Sequence, residues 1–476
     1  MTGQRAVAAA AALLLLPGCT SFADTVPQRQ ASADSPAAEA PEDEGCPAER
    51  AEPDPDRPEV RLDFRLADDR RSVTGTETVV FTPDLDVREL VFRLVPNGPD
   101  SAPAGNRLAV DGVRGHDVAG GGYETAGAAD PGGLYVVDLR DELAAGESTE
   151  VELDFTLTLG TEAFDRFGVD GDVSWWASGA PLLAWEPGVG WARDPFVDLG
   201  GETATSPAAD TVVTVSAPED LTVLMTGARS EPSAPRDGRR TWTAEEPVAR
   251  DVAVAAGPFT TREVTTPGGV RVTTGVLPGA NVPGDQLSVW TTTAIADLET
   301  LLGPFPYRTL TVALLPDHGG GIEYPSMILE ATPSREVLVH EVAHQWFYGM
   351  VGNSQFRDPW LDEAFASWAE AVVDPGSGLV SEEALTLPGP VGATMAEYAS
   401  DGRYFRLVYD KGGAALLAAQ RAVGEEAFAA AVRCYVDATA WTIATPSDVY
   451  RALDDLPAAL DVLVDAEALG KDDIPR

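Results

Sequence analysis

His340-Glu341-Val342-Ala343-His344, with eighteen residues between His344 and Glu363 in Trp360-Leu361-Asp362-Glu363-Ala364-Phe365, is the stretch on which the reading of this chain turns. Residues four apart on a helix share a face, so His340 and His344 present two imidazoles to one point. Glu341 lies about 100° round the axis, close to that point but not a ligand. Two ligands and a general base on one turn are the mechanics of a zinc hydrolase helix. A catalytic zinc also needs a third protein ligand and one open position. Glu363, on the next expected helix, is the candidate. The chain has four His in all, and two of them fall here at ligand spacing with a Glu between. One Zn2+ per chain is the expected cofactor.

Working outward, helical signals surround the motif. The pattern predicts helices over 334–350, 359–373, 409–423, 425–436 and 446–453. Asp358 before Pro359 reads as N-cap and first-turn residue, and Thr445-Pro446-Ser447-Asp448 as a capping box with Asp in place of Glu. Upstream the period changes to two. Val60, Leu62, Phe64 and Leu66 alternate with Arg61, Asp63 and Arg65, and 89–95, 151–159 and 211–216 alternate likewise between Gly/Pro/Asp turns. Two more strands are expected at 270–276 and 309–315. The outline is an α+β multidomain chain, with an all-β, saddle- or sandwich-like domain over 58–258 and then a catalytic domain over 259–460 with a small sheet and mostly helices. Residues 461–476 are expected as a C-terminal tail.

At 476 residues the chain has room for two to three domains. An apolar fraction of 44% suits a globular protein. A net charge of −43 speaks against nucleic-acid binding, which needs Lys and Arg against the phosphates. It describes a heavily solvated exterior.

The N-terminus reads as an export signal over 1–18. Arg5 is followed by the apolar run Ala6–Leu16, too short to span a bilayer as a helix. Leu16-Pro17-Gly18-Cys19 resembles the lipobox of bacterial lipoproteins. That resemblance implies cleavage before Cys19, a lipid on its thiol and an extracytoplasmic chain held to the membrane by acyl groups. Residues 19–57, rich in Ala, Pro, Asp and Glu, read as a flexible acidic tether. Cys46 and Cys434 remain, as a disulfide or as two unrelated thiols, and the sequence leaves both open. They are too few for a thiolate zinc site.

His340-Glu341-Val342-Ala343-His344-Gln345-Trp346-Phe347-Tyr348-Gly349 with Trp360-Leu361-Asp362-Glu363 is similar to the gluzincin aminopeptidases, the aminopeptidase N family, and the resemblance covers about 58–455. It implies a thermolysin-like catalytic domain and peptide substrates with a free N-terminus. Gly320-Gly321-Ile322-Glu323-Tyr324 occupies the place of the family's Gly-Ala-Met-Glu-Asn exopeptidase motif. This implies that Glu323, approached by Gly320, Gly321 and Ile322, binds the substrate's α-amine. Tyr409-Asp410-Lys411-Gly412 looks like the segment carrying the family's catalytic tyrosine, and this context favours Tyr409 over the nearby Tyr404. Ile322 for Met and Tyr324 for Asn are departures. The family's second amine ligand from the β domain has no matching context; Glu186 in Trp185-Glu186-Pro187 is a substitute or an ordinary loop carboxylate. The family's large C-terminal helical domain is absent from the resemblance, which implies a more open cleft. Two alternatives stand: a thermolysin-like endopeptidase, and a catalytically inactive peptide-binding lipoprotein.

Overall fold

The computed structural model describes residues 49–161, 166–201, 204–316, 319–376 and 380–474. The export segment, Cys19, Cys46 and most of the expected tether lie outside the described residues.

The period-two runs form strands. Glu59–Leu66 pairs antiparallel with Ser72–Phe81 and parallel with Ala209–Pro218, inside a seven-stranded sheet that also holds Thr149–Thr158 and Arg107–Arg114. Along Thr149–Thr158 every second residue is buried, as expected of a sheet with one face on a core. Two four-stranded sheets also lie in this half, one containing Val87–Arg93 and the other Val173–Ala177 and Ala253–Gly257, beside a two-stranded pair of Trp185–Glu186 with Gly190–Trp191. Phe64, Phe81, Phe155 and Trp176 meet in its core.

The second half opens with a five-stranded sheet in the order Thr260–Thr265, Arg271–Val276, Thr309–Leu314, Met327–Glu330, Gly321–Tyr324. The three middle strands run parallel and the short Gly321–Tyr324 is an edge strand. Among the described residues eight α-helices follow or interrupt it: α1 (Gly284–Leu302), α2 (Arg335–Ala343), α3 (Trp360–Val373), α4 (Asp401–Phe405), α5 (Gly412–Val423), α6 (Glu425–Ala438), α7 (Pro446–Ala452) and α8 (Pro457–Asp465). A separate apolar cluster joins the halves, with Trp175, Leu224 and Phe259 against Ile322, Tyr324 and Leu329. Among the described residues no helix is long and apolar enough to cross a membrane.

Several expectations shift. The α1 segment, not anticipated as a helix, contains the β-branched run Thr291-Thr292-Thr293, which speaks against a helix. It is helical because Leu287, Ala294, Ile295, Leu298 and Leu302 bury one face. Thr291 and Thr292 also return their hydroxyls to the Leu287 and Ser288 carbonyls at 2.8 and 2.9 Å. The helix expected over 334–350 stops at Ala343, where the chain turns so that Trp346 and Phe347 enter the core. The expected 461–476 tail is not free, since Leu463 and Leu469 are buried in the catalytic core and α8 packs on α5.

The tether also ends earlier than expected. Arg50 pairs with Asp437 on α6 at 2.8 Å, and the Ala51 amide bonds the Asp437 carbonyl. Cys434, one turn back on α6, is disulfide-bonded, with its partner outside the described residues.

Candidate active site

Ser334 caps α2, its side chain accepting from the Glu336 amide. Down this short helix His340 and His344 turn the same way. Their Nε2 atoms lie 3.0 Å apart, and Glu363 Oε2, from the first turn of α3, sits 3.2 Å from each. The other ring nitrogens face away from this triangle. His344 Nδ1 donates to the Phe347 carbonyl at 3.1 Å, and His340 Nδ1 lies 3.6 Å from Glu370 Oε2. Such outer partners fix the tautomer that leaves both Nε2 lone pairs pointing inward.

Two observations test whether a zinc ion fits here. Bonds of about 2.0–2.1 Å to a tetrahedral ion hold its ligands about 3.3 Å apart, close to the spacing seen. The electrostatics also call for a cation. Burial acts to depress the His340 pKa, but its contacts with the Glu363 and Glu370 carboxylates outweigh this and push it up. For His344, burial is likewise outweighed, by the Glu323 and Glu363 carboxylates. Glu363 shows the converse: burial would raise it, yet His344 and the hydrogen bonds to both imidazoles hold it low. A buried carboxylate that draws positive charge onto its neighbours fits a divalent ion among two imidazoles and one carboxylate.

Glu341 is buried, and its Oε2 has no hydrogen-bond partner. Burial first, then the Glu323 carboxylate, raises its pKa, toward the range a general base needs. Its side chain lies flat against Gly321, where an added Cβ would come within 2.6 Å of Glu341 Cγ. Glycine at 321 is thus what lets the edge strand approach the helix. Glu323, on that strand, has ligand-capable oxygens within 4.8 Å of those of Glu341 and of a His344 nitrogen. It too is buried, with Oε1 unpartnered.

Tyr409 stacks on the His340 ring, centroids 5.8 Å apart and planes 13° from parallel. It stands in a π-helical turn, Arg406–Lys411, between α4 and α5, a local widening that is common at functional sites. Burial and the nearby Glu363 carboxylate raise its pKa, so the hydroxyl keeps its proton as a donor. Tyr404 is fully buried against it, edge-on at 5.7 Å, and does not line the cavity. Gly412 and Gly413 follow because α5 presses on α3, where a Cβ on Gly412 would meet the Ala364 Cβ at 2.6 Å.

These groups line one cavity of about 500 Å³. Gly320, Gly321, Ile322, Glu323, His340, Glu341, His344, Glu363 and Tyr409 all reach it. Glu186 does not. It is buried in an ion pair with Arg357, and that pair takes up the carboxylate. The sequence reading missed Asp100, Arg166 and Gly201, which form the β-domain wall, and Glu370. Glu370 carried a signal, since it lies two helical turns after Glu363 on the same face. The β-domain residues carried none, because only the folded chain brings them near.

Known proteins resemble this chain in sequence and in fold. Residues 324–376 match the peptidase family M1 domain. Aminopeptidase M1-B of Oryza sativa subsp. japonica is 24% identical over 185 residues, 32% of this chain and 21% of the relative. Aminopeptidase N of Bos taurus is 26% identical over 212 residues, 39% of this chain and 22% of the relative. The chain thus aligns with about a fifth of the length of these relatives. Among solved structures, the M1 zinc metallopeptidase of Deinococcus radiodurans superposes with a TM-score of 0.63 at 20% identity, covering 88% of this chain and 95% of that one. A mutant of the Deinococcus protein, bound to a Tyr-Ser-Ala substrate, superposes with a TM-score of 0.61 at 19% identity over 86% of this chain and 94% of that one. The matched segment, the shared fold and the two-His, one-Glu cluster make this chain similar to the M1 zinc metallopeptidases.

Proposed function

We propose that the chain is a zinc aminopeptidase that hydrolyses the first peptide bond of peptides with a free N-terminus. The observation that carries this reading is the Glu323 carboxylate, buried and partly unpartnered, beside the base and the ligand triangle. An ammonium group is the partner that would satisfy it. A substrate held there by its α-amine presents its first carbonyl to the reacting centre and no later one.

When bound at His340, His344 and Glu363, zinc acidifies water and polarises the scissile carbonyl. Glu341 takes the proton from the attacking water and returns it to the departing amine. The Tyr409 hydroxyl donates a hydrogen bond to the carbonyl oxygen as that oxygen gains charge. Glu323 contributes binding and register, and Gly321 holds Glu341 close to the bond it serves.

The test is Glu323→Gln assayed on an aminoacyl anilide and its N-acetylated twin. Loss of one charge-assisted bond predicts a KM for the free amine raised about 10–100-fold. The acetylated compound should be inert to both proteins. Cleavage of the acetylated compound at a comparable rate would identify an endopeptidase instead.

The N-terminal sequence supports a second proposal, that the chain is exported and held at the extracytoplasmic membrane face by a lipid on Cys19. Labelled fatty acid should enter the wild-type chain and not Cys19→Ser. Equal labelling of both would refute it.

A further inference from the structure

Tyr324 stands where the resemblance leads one to expect Asn, and its side chain leaves the cavity for the other half of the molecule. It follows Glu323 on the edge strand Gly321–Tyr324, which among the described residues pairs only with Met327–Glu330. Adjacent strand residues face opposite ways, so as Glu323 points to the ligands Tyr324 points to the β domain. There its hydroxyl is 2.9 Å from Ser178 Oγ, which is 2.5 Å from Asp251 Oδ2. The other Asp251 oxygen accepts the Val252 amide at 2.7 Å.

Donor and acceptor counting gives this chain a direction. Ser178 donates its single hydroxyl proton to Asp251 Oδ2, so the proton between Ser178 and Tyr324 comes from the Tyr324 hydroxyl. All three side chains are buried, where such a chain is stronger than in water. Ser178 is held in the left-handed region at φ 51°, a conformation uncommon for a non-glycine residue that persists only where its surroundings enforce it.

The catalytic half grips the same strand end. Gln345, next to His344, donates its amide to the Tyr324 carbonyl at 3.1 Å and accepts the Ser326 amide at 2.9 Å. Tyr324 is therefore tied to the turn that follows the zinc helix through its backbone and to the β domain through its hydroxyl. Among the described residues, no other strand lies on the open side of Gly321–Tyr324 to hold Glu323 in place.

We propose that Ser178, backed by Asp251, is a positioning residue for substrate-amine binding. Through the Tyr324 hydroxyl it holds the edge strand so that the Glu323 carboxylate stays at the spacing from the zinc ligands that an N-terminal ammonium requires. Ser178 and Asp251 then set affinity for the free N-terminus without lining the cavity that receives it. This rests on the reading of Glu323 as the amine ligand.

The test uses the zinc-loaded full chain and free-amine aminoacyl anilides. Tyr324→Phe removes only the hydroxyl, and Ser178→Gly removes its partner while tolerating the positive φ. Each should raise KM about 3–10-fold, the worth of one buried hydrogen bond, with kcat within about threefold and one zinc retained. The double variant should be no worse than either single one, because both break the same bond. In a Glu323→Gln background, Tyr324→Phe should add less than about a twofold change in KM. Unchanged KM in both single variants would overturn the proposal, as would an equal rise with and without Glu323. If Glu323→Gln alone leaves KM unchanged, the amine reading falls and this proposal with it. If Glu323→Gln raises KM and the two hydroxyl variants do not, the positioning role alone is refuted.

Discussion

Glu341→Gln is expected to lower kcat by about 10³–10⁴-fold while leaving one zinc per chain. The amide matches the carboxylate in shape, so the contact with Gly321 survives and the ligand triangle, which Glu341 does not enter, is unaltered. What is lost is the only feature of Glu341 the reaction uses, its ability to take a proton and give it back. Proton transfer by a positioned side chain is worth roughly 10²–10⁴-fold, and the upper part of that range applies because one residue serves both steps. Substrate binding should change little, as Glu323 still holds the amine. Zinc analysis beside single-turnover kinetics checks this. A variant with zinc and near-normal kcat would remove Glu341 from the mechanism.

Glu363→Ala should have the second-largest effect, on the metal itself. Two imidazoles with Nε2 atoms 3.0 Å apart, that of His344 buried and that of His340 partly so, would face each other without the carboxylate that balances a cation between them. Zinc content after dialysis should fall below about a tenth per chain, since a catalytic site relies on three protein ligands. Folding is coupled to that loss. A ligand present at about a thousand times its Kd adds about 4 kcal/mol to stability, so the variant should melt where chelated wild-type protein melts. Excess zinc should raise the wild-type melting temperature and not that of the variant. Full zinc occupancy in Glu363→Ala would show that the third ligand lies elsewhere.

How much was legible in advance depended on how local each feature is. The zinc helix could be read because His340, Glu341 and His344 share one turn, and the N-terminus of α7 because Thr445 and Asp448 form a capping box three residues apart. Helix α1 could not, since its Thr run argues locally against what Leu287, Ile295 and Leu298 achieve by burial. The π turn at Tyr409 depends on how α4 and α5 meet α3, which periodicity does not record. The β-domain wall of the cavity and the Arg357 partner of Glu186 are long-range facts. They place Glu186 away from the cavity and bring Asp100 and Arg166 to it.

The most direct test of the account is to follow an unmodified tripeptide by mass spectrometry as the zinc-loaded chain acts on it. The account predicts release of the first residue, then the second, with no internal fragment appearing first. Chelation should stop the reaction and added zinc should restore it. Cleavage away from the N-terminus, or turnover indifferent to zinc, would contradict it.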